Sequence, residues 1–227
     1  ALYDYSKAFK VPCISGKDSM KNDSTRGGRK ISIPPTVLFS AIAKMDDISK
    51  AVTLDAKNSG DLVFVIGATK NELGGSEYYA MMDATGNNVP KLDAGKAIAT
   101  YKAVSAITGK SLACSLHTPA IGGFAAGFAK IAIAGRLGLE IDLDKIPSEG
   151  KLSPEELLFS ESNSRFIMTA APSNRAKIEK MLKGIPHAVV GRVTGGSSLN
   201  FKSGAKKIFS TGIEELAKAY KGTLAGI

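Results

Sequence analysis

A histidine and two glycines lie between a strand-like and a helix-like stretch of this chain, and their spacing suits anion binding. Residues 111–116 are mostly apolar with β character, and they lead to His117 and then to Gly122 and Gly123. Residues 124–134 are rich in Ala, with large apolar residues at helical spacing. Paired glycines between a strand and a helix let backbone N–H groups approach an anion closely, because glycine lacks a Cβ. The same glycines would also let a helix pack tightly on a sheet, so the pattern alone leaves both readings open.

A second group with anion-binding chemistry lies near the start of the chain. Gly16, Lys17, Asp18 and Ser19 follow a short run, residues 11–14, that reads as a strand. Backbone N–H, ammonium and hydroxyl groups together suit contact with a phosphate or a metal–phosphate. An ordinary polar turn has the same composition, so this reading also has a structural alternative.

The composition predicts a soluble protein with one large domain, or with one domain and part of another. Of the 227 residues, 44% are hydrophobic and 22% charged, which allows a buried core. We find no apolar run of about 18 residues and no signal peptide, so we expect neither a membrane span nor secretion. Cys13 and Cys114 are interpreted as buried thiols of a reducing, cytoplasmic compartment. The net charge of +9 is scattered, without the basic blocks typical of nucleic-acid binding.

Strand and helix patterns alternate along the chain and predict an α/β fold. Residues 62–66 read as a central strand and residues 91–107 as an amphipathic helix. From residue 51 onward this alternation predicts helices packed against a sheet, and we place a domain boundary near residue 50. Before that boundary we predict a helix at 2–9, a mobile loop at 21–30 and a buried strand at 37–43.

Six short motifs, in this order, resemble the synthetase region of the phosphoribosylformylglycinamidine synthase family. They are Leu-Tyr-Asp (2–4), Pro-Cys-Ile-Ser-Gly-Lys-Asp-Ser-Met (12–20), Pro-Pro-Thr (34–36), Leu-Gly-Gly-Ser-Glu-Tyr (73–78), His117 with Gly122-Gly123, and Leu-Phe-Ser-Glu-Ser (158–162) with Arg165. The resemblance spans nearly the whole chain and points to the second half of that region. It implies that residues 1–50 are the tail of an N-terminal synthetase-like subdomain. Residues 51–227 would then be a C-terminal subdomain like that of aminoimidazole ribonucleotide synthetase, a mixed sheet packed with helices.

The resemblance implies an ATP-dependent C–N ligase of purine biosynthesis. Such enzymes convert formylglycinamide ribonucleotide (FGAR), ammonia derived from glutamine, and ATP to formylglycinamidine ribonucleotide (FGAM), ADP and phosphate. The implied partners are the remainder of the synthetase, a glutaminase domain or subunit and the phosphoribosyl substrate, with neither nucleic acid nor membrane. ATP and Mg²⁺ are the implied cofactors of the full-length enzyme, and this chain alone is expected to be inactive.

The same resemblance gives two groups of candidate site residues and no catalytic residue. Nucleotide or substrate binding is implied for Gly16, Lys17, Asp18, Ser19, His117, Gly122 and Gly123. Substrate binding is a candidate role for Ser76, Glu161, Ser162 and Arg165. For Glu161 and Arg165 the alternative is an ordinary ion pair at the surface.

The stretch after His117 departs from the family pattern. The family usually has His-Asp-x-Ser-Asp-Gly-Gly, in which Asp binds magnesium and Ser the nucleotide, whereas Thr118, Ala120 and Ile121 stand in those places here. Lys17 likewise stands where some members have a magnesium-binding Asn. Without carboxylates the loop cannot form the usual oxygen cage for Mg²⁺, so we predict no metal ligand and a degenerate nucleotide site. A non-catalytic scaffold domain and another ATP-dependent enzyme of the same superfamily are the alternatives.

Overall fold

A computed structural model describes residues 1–16, 23–32 and 38–222. The contacts within the chain divide it into two units, Ala1–Ile48 and Ser49–Ile227. The identities proposed for residues 1–50 and 51–227 as parts of two synthetase subdomains stay predictions.

Among its described residues, the first unit contains one α-helix and one β-hairpin. Helix α1 is Leu2–Phe9, as predicted. Strands β1, Ser24–Arg26, and β2, Arg29–Ile31, pair antiparallel. Gly27 and Gly28 connect them with φ of 60° and 75°, the left-handed values that a tight two-residue hairpin turn requires. The prediction of a mobile loop in this stretch is therefore wrong.

Two strands predicted for the first unit are also wrong. The described residues of 11–14 and 37–43 contain no strand, and an isolated bridge joins Ser15 to Ser40. Nor is the second segment buried, because Ile42 is 79% exposed. A strand is stable only beside a partner strand, and among its described residues this unit offers the hairpin and that one bridge. Cys13, predicted to be buried, is exposed.

The second unit is built on a seven-stranded mixed sheet. Its strands are β3 Leu62–Ile66, β4 Ser115–His117, β5 Gly138–Asp142, β6 Phe166–Ala170, β7 His187–Thr194, β8 Ser198–Ser203 and β9 Lys206–Gly212. Their spatial order is β4-β6-β3-β7-β5-β8-β9. Neighbouring strands are antiparallel, except that β5 and β8 are parallel. The predicted α/β fold with a mixed sheet is confirmed.

Six α-helices accompany the sheet in the described part of this unit. They are α2 Glu77–Met81, α3 Ala94–Gly109, α4 Gly123–Gly135, α5 Pro154–Phe159, α6 Arg175–Met181 and α7 Ile213–Gly222. Helix α3 begins later than predicted, because the Asp93 side chain accepts a hydrogen bond from the Lys96 amide (3.0 Å) and caps the helix. Within the described residues, none of the helices has the length and apolar character needed to cross a membrane.

The central strand β3 is apolar on both faces because helices cover both sides of the sheet there. Val63 and Val65 belong to a core cluster that also contains the buried side chains of α4. Phe64 and Ile66 belong to a second cluster, with the buried side chains of α3 and α6. Side chains of a strand alternate between the two faces, so a strand with two cores needs a continuous apolar run.

Candidate functional site

The candidate site is centred on residues 160–165, the loop between α5 and β6. Hydroxyl groups of this loop bond to the backbone that follows β3. The Glu72 amide donates to Ser160 Oγ (3.3 Å), and the Lys70 amide donates to Ser162 Oγ (3.1 Å). These bonds tie together two segments that are distant in the sequence and fix the shape of the loop.

Arg165, at the end of this loop, is fully buried. Its Nε donates to the Ser162 carbonyl (2.9 Å), one terminal nitrogen donates to Thr69 Oγ1 (3.0 Å), and the other donates to the Ser160 carbonyl. The guanidinium carbon lies 4.3 Å from the centre of the Phe124 ring, a cation–π contact. The buried arginine therefore stabilises the loop by donating to two of the loop's own carbonyls.

Burial also sets the acidity of Arg165. Loss of hydration lowers the pKa of its guanidinium to about 10, and the charges of Glu72 and Glu161 act in the opposite direction. The group is therefore still a cation at neutral pH. The alternative of a surface ion pair between Glu161 and Arg165 is wrong, because Arg165 has no exposed surface.

Glu161 connects the N-termini of two helices. Its Oε1 accepts hydrogen bonds from the amide of Gly122 (2.9 Å), the N-cap of α4, and from the amide of Glu77 (3.0 Å), the first residue of α2. The amide groups and the macrodipole of a helix N-terminus both favour a negative charge. A carboxylate of the chain itself thus lies where the paired glycines predicted an anion.

Gly122 and Gly123 adopt left-handed backbone conformations, with φ of 81° and 61°. A Cβ added to Gly123 would lie 2.6 Å from the Leu158 carbonyl oxygen and 2.7 Å from that of Ser160. No real side chain fits at that distance. The start of α4 is therefore packed directly against the backbone before Glu161, which supports the packing reading of the two glycines.

His117 ends β4 and is half-buried. Two effects lower the pKa of its imidazole below 6.5: the larger is loss of hydration, and the smaller is repulsion from the positive charge of Lys130. The imidazole is therefore mainly neutral at pH 7. Thr118 and Ala120 are exposed after it, and Ile121 exposes 64% of its surface where the family pattern has a carboxylate.

The residues present do not fit a magnesium nucleotide at this loop. Thr118, Ala120 and Ile121 supply no carboxylate, and Oε1 of Glu161 already accepts from two amides. Across residues 1–16, 23–32 and 38–222, no three His, Cys, Asp or Glu side chains are grouped so that they could hold a metal ion. Mg²⁺ requires nearly octahedral oxygen coordination, usually with one or two carboxylates. No metal-dependent step is assigned to this loop.

Ser76 and Ser162, two other predicted site residues, are buried and bonded within the chain. Ser76 is the N-cap of α2, where its hydroxyl donates to the Leu73 carbonyl (2.7 Å) and accepts from the Tyr79 amide (3.3 Å). Both hydroxyl groups therefore hold loops in shape.

The predicted site residues differ in location. Gly16 lies in the first unit, and Lys17, Asp18 and Ser19 lie outside the described residues. His117 ends a strand of the second unit. Hydrogen bonds and, for Gly123, backbone packing bring together the rest in one region of that unit: Ser76, Gly122, Gly123, Glu161, Ser162 and Arg165.

Glu72 is part of this region, although the sequence did not single it out. It is 5% exposed, its Oε1 accepts from the Lys91 amide (3.0 Å), and its Oε2 has no hydrogen-bond partner within the described residues. Glu72 thereby joins the segment after β3 both to the 160–165 loop and to the residues before α3. A glutamate is usually exposed, so its residue type gave no sign of this burial.

The sequence matches one protein family, and it corresponds to part of the length of longer relatives. Residues 58–203 match the family described as AIR synthase related protein, C-terminal domain. The chain is 33% identical over 219 residues to the phosphoribosylformylglycinamidine synthase subunit PurL of Thermococcus sibiricus, which covers 96% of this chain and 30% of that protein. The subunit PurL of Methanocaldococcus jannaschii is 32% identical over 222 residues, with the same two coverages. The chain thus spans about 30% of the length of these relatives.

Solved structures have a similar fold. PurL of Thermotoga maritima complexed with FGAR superposes with a TM-score of 0.74 at 18% identity, over 94% of this chain and 36% of that chain. PurL of the same organism complexed with ATP gives a TM-score of 0.63 at 19% identity, over 74% of this chain and 27% of that chain. At such identities the likeness concerns the fold alone.

Proposed function

Because the chain belongs to the family of AIR synthase related proteins, C-terminal domain, we propose that it is part of a phosphoribosylformylglycinamidine synthase. One observation carries the proposal. The match to a subunit PurL covers 96% of this chain at 33% identity but 30% of the relative, as expected for one portion of a longer synthetase. We propose that this portion is the second half of the synthetase region, with residues 1–50 and 51–227 in the two subdomains named above.

The proposed enzyme is a C–N ligase of purine biosynthesis. It converts FGAR, ammonia released from glutamine, and ATP to FGAM, ADP and phosphate. The ammonia nitrogen replaces the amide oxygen of FGAR, and that oxygen leaves in the phosphate. ATP as a cofactor is supported by the T. maritima PurL structure that was solved with ATP. We propose that the magnesium of the whole enzyme binds outside the loop at His117, since that loop lacks the oxygen ligands.

We propose a mainly structural role for the second unit of this chain within the enzyme. The contacts of Glu161, Ser162 and Arg165 hold three loops in one arrangement. This favours the non-catalytic reading of the loop at Gly122 and Gly123. Direct binding of substrate or nucleotide by the candidate residues stays a prediction. That prediction includes Gly16, Lys17, Asp18 and Ser19.

The partners follow from the proposed reaction. The chain would act in the cytoplasm, with the remainder of the synthetase and with a glutaminase that supplies ammonia. A solved assembly titled PurLQS from T. maritima supports association between PurL and other subunits in that organism.

An activity assay on the assembled enzyme tests the proposal. The full-length synthetase that contains this chain, purified with its glutaminase, should form FGAM from FGAR, glutamine and ATP. The 227-residue chain alone, given FGAR, ammonium, ATP and Mg²⁺, should form none, because phosphoryl transfer needs phosphates held by metal or cations. Absence of FGAM from the assembled enzyme would contradict the proposed reaction. Turnover by the chain alone would contradict the view that it is an incomplete part.

A further inference from the structure

The N-terminus of α4 has the properties of an anion site. Gly122, the N-cap, precedes a helix of 13 residues, and its amide lies at the positive end of that helix. The Gly123 amide donates to the Ala120 carbonyl (2.9 Å), so of the two glycine amides only that of Gly122 faces the anion. The nearest negative group is the Glu161 carboxylate, 2.9 Å from the Gly122 nitrogen. We propose that Glu161 is a built-in anion that fills this site, clamps α4 to α2 and excludes external phosphate groups.

A single oxygen makes both contacts of the clamp. Oε1 of Glu161 accepts from the amides of Gly122 and Glu77, which begin two helices that are far apart in the sequence. Hydrogen bonds from backbone amides to a charged acceptor are stronger than those between neutral groups. The carboxylate therefore accepts a hydrogen bond at the start of each helix, and its negative charge lies near the positive end of both helix dipoles.

The backbone on either side of Glu161 holds the carboxylate in place. The Glu161 amide donates to the Glu72 carbonyl (3.2 Å), and the hydroxyls of Ser160 and Ser162 accept from backbone amides of the segment that follows β3. The buried guanidinium of Arg165 bonds to the carbonyls of those two serines. Such a fixed side chain loses little conformational freedom on making its contacts, so it competes well with a free anion.

The lack of space around Gly123 also supports the exclusion of external phosphate. A single carbon added to Gly123 would come within 2.7 Å of the carbonyl oxygens of Leu158 and Ser160. A phosphate group is larger than a methyl group, and those carbonyl oxygens would also repel it. An external anion could therefore reach the α4 amides through the position of the Glu161 carboxylate, once that carboxylate is removed.

Amide signals of the ¹⁵N-labelled 227-residue chain test the clamp directly. Glu161→Gln keeps the side-chain volume but removes the charge, and it should shift the amide signals of both Gly122 and Glu77. The matched control is Glu77→Gln, which removes an exposed side-chain carboxylate at the start of α2 and keeps the Glu77 backbone amide that donates to Glu161. It should leave the Gly122 signal in place. If Glu161→Gln moves neither signal, the clamp does not exist in solution.

Titration with inorganic pyrophosphate tests the exclusion. In Glu161→Ala, pyrophosphate should shift the Gly122 signal at a concentration about tenfold lower than in the unaltered chain, because the helix N-terminus then lacks its anion. Glu77→Ala, which lowers the negative charge equally, should behave like the unaltered chain. The proposal is overturned if the unaltered chain responds at the same concentration as Glu161→Ala. If Glu161→Ala does not fold, the same comparison is made with Glu161→Gln.

Discussion

Arg165 stabilises the candidate site from within the protein. A buried guanidinium is tolerated only when its donors find acceptors, and here two carbonyls and a hydroxyl accept from it. The Phe124 ring covers one face of the cation. Lysine could not reproduce this arrangement, because its ammonium is compact and lacks the planar fork.

Replacement of Arg165 should therefore destabilise the chain strongly. Arg165→Met leaves the carbonyls of Ser160 and Ser162 buried without a donor, and we expect a loss of about 3 kcal/mol in the free energy of unfolding. Denaturation with urea measures the change. The control is Arg175→Met, which removes an exposed ion pair with Glu179 on the surface of α6 and should cost less than about 0.5 kcal/mol. Equal effects of the two substitutions would show that Arg165 is not a structural cation.

The sequence indicated which residues belong to this region but not how they are used. Glu161, Ser162 and Arg165 were found through motif resemblance, and the structure brings them together. Arg165 gave no sign of burial, because arginine is rarely fully buried and its acceptors include a loop more than 90 residues away in the chain. Contacts between distant segments cannot be read from a single sequence without correlated changes among relatives.

A single glycine, Gly123, allows the start of helix α4 to pack closely against neighbouring backbone. Its first residue, Gly123, has both a left-handed backbone and no room for a Cβ. Either condition alone favours glycine, and together they leave no low-cost substitution.

Gly123→Ala should cost about 3 kcal/mol or more of unfolding free energy, from backbone strain and from overlap with the carbonyls of Leu158 and Ser160. Gly150→Ala is the matched control. Gly150 also has a positive φ, 85°, but an added Cβ would meet nothing within 4 Å, so the cost should be about 1 kcal/mol. Urea denaturation compares the two variants. Similar losses would mean that the start of α4 is packed more loosely than described.

Sequence periodicity predicted the elements whose pattern lies within their own residues. It failed where the formation of a strand depends on a partner strand. The apolar run of β3 and the Ala-rich pattern of α4 are properties of those segments alone, and both elements were predicted. Residues 11–14 have an equally strand-like composition but no partner strand among the described residues. The opposite error concerns the hairpin at 24–31, where Gly27 and Gly28 form a turn between polar strands that show no alternation.

The two units differ in how completely they bury their own side chains. The second unit contains both core clusters, whereas no side chain among the described residues of 1–48 is buried. Stability should therefore come almost entirely from the second unit, because apolar burial is the main favourable term in folding.

A chain shortened to residues 49–227 should keep its fold. We expect its urea midpoint to match that of the whole chain, with the unfolding free energy changed by less than about 1 kcal/mol, since neither core cluster is touched. A chain shortened at the other end, to residues 1–195, is the contrasting variant. It lacks β8, β9 and α7, which supply Leu199, Phe201 and Ile213 to the core, and it should not fold cooperatively. Loss of cooperative unfolding in 49–227 would show that the first unit is part of the same folding unit.

The order of strands in the sheet has a consequence for the nascent chain. Strand β3 ends at Ile66, but the two strands that flank it, β6 and β7, begin at Phe166 and His187. Ribosomes add roughly 5–20 residues per second, so β3 is complete about 5–20 s before the first of these neighbours. During that interval an apolar strand has both edges unpaired and is open to chaperones and to other nascent chains. Aggregation through the unpaired edges of β3 is therefore to be expected during synthesis, before β6 and β7 have formed.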